Sequence, residues 1–271
     1  MIAPTLPVPT IENPIEELLA TVSASRLGTF HQCRLKFFFR YVLKLKKAKT
    51  PALHVGSSVH AVLQAWSLAR WKKLVFDLAG LKSHFEKHWV ESQIEERTRW
   101  NSDDPEAAAK QEAWALLEMY FEKTPVPPDE RPEAVEVRVD ADLAKHGLPV
   151  LVGIIDLVRQ GGKIVDFKTS AQTPNPEKAG HLHEAQVNCY SLLYREATGK
   201  REWGVELHHL VMQVSVLTIY TIRGIKARLL AARQVRHEYR RTICLIIKFG
   251  LRSRAGRDNF TQSRPRRVAI T

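Results

Sequence analysis

The chain has 271 residues, 44% hydrophobic and 26% charged, with a net charge of +12. This length and balance allow a packed core without staples, and they exclude a disordered or fibrous chain. No run approaches the roughly 18 apolar residues of a membrane span, and three scattered cysteines, Cys33, Cys189 and Cys244, exclude a disulfide framework or a CxxC-type knuckle.

The opening "MIAPTLPVPTIENPIEELL" has neither a basic n-region nor a continuous apolar core, so no secretory signal is expected and the expected location is cytoplasmic. The charge is uneven. Residues 221–271 hold 14 Lys/Arg against the two acids Glu238 and Asp258, which accounts for the whole net charge; the first 220 residues are balanced. Within them, "SRLGTFHQCRLKFFFRYVLKLKKAK" (25–49) has eight basic residues, no acid, and interleaved aromatics. That mixture suits a phosphate backbone and unstacked bases. The plainer reading puts Phe37, Phe38, Phe39 and Tyr41 in the core with the charges solvating a helix.

In chain order, the Pro-rich residues 1–22 are expected to form a flexible arm with one short helix at "PIEELLATV". Residues 23–128 read as a helical part: 25–45 in one or two pieces, then helices from Gly56, from Asp77, and from Pro105 with Asp104 as N-cap. Residues 129–220 change period. "AVEVRVDADL", "LPVLVGIIDLVR", "GKIVDFKT", "VELHHLVMQV" and "VLTIYTI" are β-rich, with one helix over about 177–198, stopped by Gly199, between the third and fourth. The order gives an α/β (α+β) fold, a central sheet under a helical subdomain.

Asp166 and Lys168 lie two apart on one face of the third strand, and Asp156 sits mid-strand in the second. A two-residue Gly161-Gly162 turn would oppose Leu157 to Asp166. A three-residue loop, Gln160 to Gly162 with Gly162 left-handed, opposes Asp156 to Asp166 and is a favoured loop type. Facing carboxylates repel, and a divalent cation between them offsets that; Mg²⁺ is commonly held by one or two carboxylates plus substrate phosphates. Lys168 would then stand near the scissile phosphate and stabilise developing charge. The apolar flanks Val152, Ile154, Ile155, Ile164, Val165 and Phe167 favour buried strands over a solvated hairpin.

"GIID" (153–156) followed after nine residues by "DFK" (166–168) resembles the core motif of the PD-(D/E)xK nuclease superfamily, in its RecB-type branch. "SASRLGTFHQCRLKFFFRYVLKL" is similar to that branch's opening helix pair, "HVGSSVHAVLQAW" to its Gly-x-x-x-His motif, and "EAQVNCYSLLY" to its Gln-x-x-x-Tyr helix. The resemblance covers about residues 23–212. It implies a restriction-endonuclease-like core with a mixed sheet flanked by helices, and a metal-dependent DNA nuclease acting on single strands or ends in recombination and repair. By the same resemblance His60, Asp156, Asp166 and the Phe167 carbonyl ligate Mg²⁺ or Mn²⁺, and Lys168 positions or activates water. Gln186 and Tyr190 hold DNA and order the site. Arg34, Lys36 and Arg40 are the DNA-binding candidates of the basic opening helices, and Glu136 is an auxiliary acid candidate.

Many members of this branch carry an iron-sulfur cluster. Here only Cys33 stands at a matching position, so no cluster is expected and Cys33 is expected to be a buried small hydrophobe. Past Met212 the likeness stops and residues 221–271 become an atypical basic segment, read either as a DNA-binding tail or as out-of-frame text. The alternative function is an inactive DNA-binding or scaffold domain. His84/His88 could pair on a metal but lack a third ligand, and His181/His183 and His208/His209 have no ligand spacing. No P-loop occurs, so any helicase would be a separate chain.

Overall fold

The structure is a computed structural model; it describes residues 14–74, 77–100, 105–144, 147–173, 175, 183–212 and 216–222. The chain forms two units. The larger comprises 1–143 with 149–227; of the other, 144–148 with 228–271, only 144, 147 and 148 are described.

The described helices are α1 (Pro14–Ala20), α2 (Ala24–Gln32), α3 (Arg34–Phe37), a π-helical turn (Phe38–Val42), α4 (Pro51–Trp71), α5 (Leu78–Glu96), α6 (Glu106–Lys123) and α7 (Glu184–Thr198). The strands are β1 (Thr21–Val22), β2 (Ala134–Ala141), β3 (Val150–Arg159), β4 (Lys163–Ser170), β5 (Gly204–Val211) and β6 (Val216–Ile222). Helix starts follow local chemistry. Thr50 caps α4 by accepting from the Leu53 amide, with Pro51 in the first turn, and Asp77 caps α5 by accepting from Gly80. Gly199, with φ +67°, ends α7 as expected.

Three expectations shift. The short helix expected within the arm is α1, and after it Thr21 and Val22 add an unexpected two-residue strand paired in parallel with β3. The stretch 25–45 breaks into three helical pieces. Pro105 sits at the N-cap of α6, one residue earlier than expected, and Asp104 lies outside the described residues. So do residues 223–271, and with them nearly all of the basic segment.

The sheet is mixed: β3 to β4 and β5 to β6 are antiparallel, and β4 to β5 is parallel across Lys163–Ser170 and Gly204–Val211. α4 and α6 lie on one face, with α5 packed against α4. Val59, Leu63, Phe85, Trp89, Leu117 and Tyr120 pack there with Leu157, Val165 and Phe167 in a continuous core. Alternation sends Asp156, Asp166 and Lys168 to the other face, towards α7.

The β3–β4 connection is the three-residue loop. Arg159 pairs with Lys163, Val158 with Ile164 and Leu157 with Val165, so extending the register sets Asp156 opposite Asp166. Gly161 and Gly162 have φ of +77° and +72°, and a Cβ on Gly162 would stand 2.5 Å from the Tyr194 hydroxyl. Gly161→Ala, with open space around it, should therefore cost about 1–2 kcal/mol from the left-handed backbone alone. Gly162→Ala should cost more, about 2–4 kcal/mol, because the clash adds to the strain. Denaturant unfolding of both proteins checks this; equal losses would mean that Tyr194 yields freely.

Candidate active site

The β3–β4 rungs end at Leu157 and Val165. Two residues further along β4, the backbone of Phe167 takes partners other than the β3 main chain. Its N–H donates to Asp156 Oδ2 at 3.0 Å, and its carbonyl accepts from His60 Nε2 at 2.8 Å. At its start, β3 gains β1 instead: Leu151 pairs with Ala141 on one side and Val22 on the other. The carboxylates thus stand where two strands part, and the strand main chain there is satisfied by side chains.

His60 reaches this opening because α4 lies close to β4. A Cβ on Gly56 would sit 2.9 Å from Thr169 Oγ1, so the glycine one turn before His60 allows the approach. A Gly-x-x-x-His spacing places both on one helical face. His60 Nδ1 lies 3.7 Å from Asp156 Oδ2, and the ring packs edge-on to Phe167.

Asp166 is 1% exposed. Lys168 Nζ lies 2.6 Å from its Oδ2, Gln186 Nε2 donates to its Oδ1 at 3.1 Å, and the Tyr190 hydroxyl donates to the same oxygen at 3.4 Å. Gln186 also donates to Tyr190 at 2.8 Å. Gln186 and Tyr190 together hold the Asp166 carboxylate in one orientation. Burial and the neighbouring Asp166 and Asp156 charges push the Tyr190 phenol far up, so it stays a neutral donor.

The second carboxylate is under electrostatic load. Burial first, then Asp166, raises the Asp156 carboxyl, partly offset by His60 and the Phe167 amide. On β2, Glu136 stands between the pairs Val135↔Leu157 and Val137↔Ile155, directly across from Asp156. The Glu136 side chain is exposed, and partial desolvation of its carboxyl together with the Asp156 charge pushes it up to about 7. Its φ is +47°, rare for a residue with a Cβ and a form of strain that clusters at functional sites. Three acids on three adjacent strands therefore line one row.

The donor set, two carboxylates, an imidazole and a main-chain carbonyl, suits a hard divalent cation. Among the described residues no three His, Cys, Asp or Glu side chains are drawn into a closed cage. The Lys168 ammonium neutralises Asp166, and a cation held there would compete with that ion pair.

The other candidates are placed elsewhere. Arg34, Lys36 and Arg40 are exposed on α3 and the π-helical turn, with Arg34 over Phe30 and Arg40 over Tyr41. The aromatic run divides: Phe37 is core, whereas Phe39 is exposed. Cys33 is not buried, contrary to expectation. It is exposed and caps α3, its Sγ accepting from the Lys36 amide at 3.4 Å, because the helix break at this point leaves an amide in need of an acceptor. His84 and His88 lie on α5 and gain no metal cluster among the described residues. His208 is fully buried on the core side, linking Tyr120 at 3.1 Å to Glu206 at 3.1 Å, where Arg159 joins the network.

The chain belongs to the PD-(D/E)XK nuclease superfamily, which it matches over residues 21–247, past Met212 where the sequence likeness faded. It is accordingly a hydrolase of the nuclease class, in a superfamily that typically uses divalent metal ions. Among solved structures it is similar to a candidate exonuclease from Eubacterium rectale, at a TM-score of 0.61 and 14% identity, covering 98% of this chain and 97% of that one. At that identity the likeness supports the fold, a mixed sheet flanked by helices. A second structure, SSO0001, aligns at 14% identity over 85% of this chain and 86% of its own, with a TM-score of 0.31, too low to bear on the fold. No curated protein matches the chain. Among the described residues no helix is long and apolar enough to cross a membrane.

Proposed function

We propose that the protein is a Mg²⁺- or Mn²⁺-dependent deoxyribonuclease acting on single strands or ends, in the exonuclease manner, during recombination or repair. The observation that carries this is the pair Asp156 and Asp166, opposed where β3 and β4 part, with Lys168 and His60 on them. His60, Asp156, Asp166 and the Phe167 carbonyl would hold the cation. When bound it would polarise a phosphoryl oxygen and supply a water nucleophile near neutral pH.

The chain's own residues do the rest. Gln186 and Tyr190 fix the Asp166 carboxylate in one orientation, which preorganises the site. Lys168, released from Asp166, turns its ammonium to the scissile phosphate and stabilises the charge that develops there. Glu136, with its carboxyl near neutrality, is matched to exchanging a proton with water in the site. Arg34, Lys36 and Arg40, in a segment without acids, supply salt-sensitive backbone contacts. Any helicase partner would be a separate subunit.

Incubation with labelled single-stranded DNA, duplex DNA and RNA in Mg²⁺, Mn²⁺ or chelator tests the reading. Metal-dependent loss of the single-stranded DNA first is expected. Salt-sensitive binding with no cleavage in either metal would replace it with a scaffold role.

A further inference from the structure

Two histidines that lie 26 positions apart in the sequence meet beside Lys168. His209, on β5, is the register partner of Lys168 on β4, so the two side chains leave adjacent strands on the same face. It is 3% exposed, and neither of its ring nitrogens has a hydrogen-bond partner. His183, immediately before α7, packs its ring on that of His209, centroids 5.6 Å apart, and Tyr220 meets the His209 ring edge-on at 5.3 Å.

His183 occupies the N-cap position of α7 and does not do an N-cap's work: its side chain makes no cap hydrogen bond. Its backbone, φ −109° and ψ 5°, lies in the sparsely populated bridge region where many active-site residues sit. The ring is half-buried, lowered in pKa by burial and then by the Lys168 charge, with Asp166 acting in the opposite direction. A buried polar ring without a partner is costly, and here it backs a second imidazole, half-buried and near enough to Lys168 and Asp166 to feel both charges.

On the nuclease reading above, we propose that His183 contacts the substrate, donating an imidazole N–H to a phosphate oxygen of the nucleic-acid strand beside Lys168, and that His209 is the positioning residue behind it. α7 then serves the site at two levels. Gln186 and Tyr190 hold the metal-side carboxylate, and the residue at the helix start holds the strand. Neither histidine has a metal-ligand spacing in the sequence, and the pair exists only because β5 lies parallel to β4.

The test uses a fluorescein-labelled single-stranded oligonucleotide, with steady-state cleavage in Mn²⁺ and anisotropy binding in chelator. His183→Ala should raise KM about tenfold with kcat within about twofold, and weaken binding by a similar factor, as loss of one charge-assisted hydrogen bond requires. His183→Gln, which restores an N–H donor, should recover most of both. His209→Leu should raise KM partway while the melting temperature holds or rises, because it removes a buried ring that has no partner. The proposal is overturned if His183→Ala keeps wild-type KM and binding, if the Gln protein is as poor as the Ala protein, or if His209→Leu lowers the melting temperature with KM unchanged. A wild-type protein that binds but does not cleave would overturn the nuclease reading alone, and the anisotropy series would still decide His183.

Discussion

Asp166→Asn is expected to lower metal-dependent cleavage by at least about a hundredfold, more than the ten- to hundredfold typical of losing an outer partner of a metal ligand. The amide keeps the shape and can still accept from Gln186 and Tyr190, so the orientation survives while the charge that a cation and Lys168 both need is gone. The same change removes the second cause of the raised Asp156 carboxyl, which should fall back towards the ordinary range. Lys168→Ala should lose activity comparably with binding retained, since its part lies in the transition state. Initial rates on a labelled oligonucleotide, with circular dichroism to verify folding, measure both. An Asp166→Asn protein cleaving within about tenfold of wild type would remove this carboxylate from the mechanism.

A divalent cation should raise the melting temperature, and by more at higher pH. The Glu136 carboxyl is raised from 4.5 to about 7, and that of Asp156 is raised too. Between the unfolded and folded values the native state binds more protons than the unfolded chain, so stability falls as pH rises across that window. The metal-free protein should therefore melt lower at about pH 8 than at about pH 5, and Glu136→Gln should flatten part of that slope. Cation ligands must be deprotonated, so binding strengthens over the same range. At a free Mn²⁺ concentration about a hundred times its Kd the gain is about 2.7 kcal/mol, or about 5–10 °C for a chain near this size. Scanning fluorimetry across pH, with Mn²⁺ or chelator, reads all of this. A melting temperature indifferent to Mn²⁺ near pH 7.5 would mean that the acids do not share a cation.

Much of the centre was legible in the text because strand alternation and turn chemistry are local. Asp166 and Lys168 two apart put both on one face, and a Gly at a left-handed position set the loop length that opposes Asp156 to Asp166. Gly56 and His60, four apart, share a helical face for the same reason. Two local readings failed where a neighbour intervened. Cys33 looked like core by residue type, yet the break between α2 and α3 turned it into an exposed cap. Thr21 and Val22 looked like arm, yet they add to the edge of β3.

By itself, then, the sequence determined the local order of the candidate site's parts: which acids share a face, which turn joins them, and which helices carry His60, Gln186 and Tyr190. Only the tertiary structure decided what those parts touch. Gln186 and Tyr190 close on Asp166, Glu136 stands across from Asp156, and His183 meets His209 beside Lys168. The reason is physical. Periodicity specifies the direction of a side chain from its own element, whereas these contacts depend on which strands become neighbours, in what register, and where β3 and β4 part.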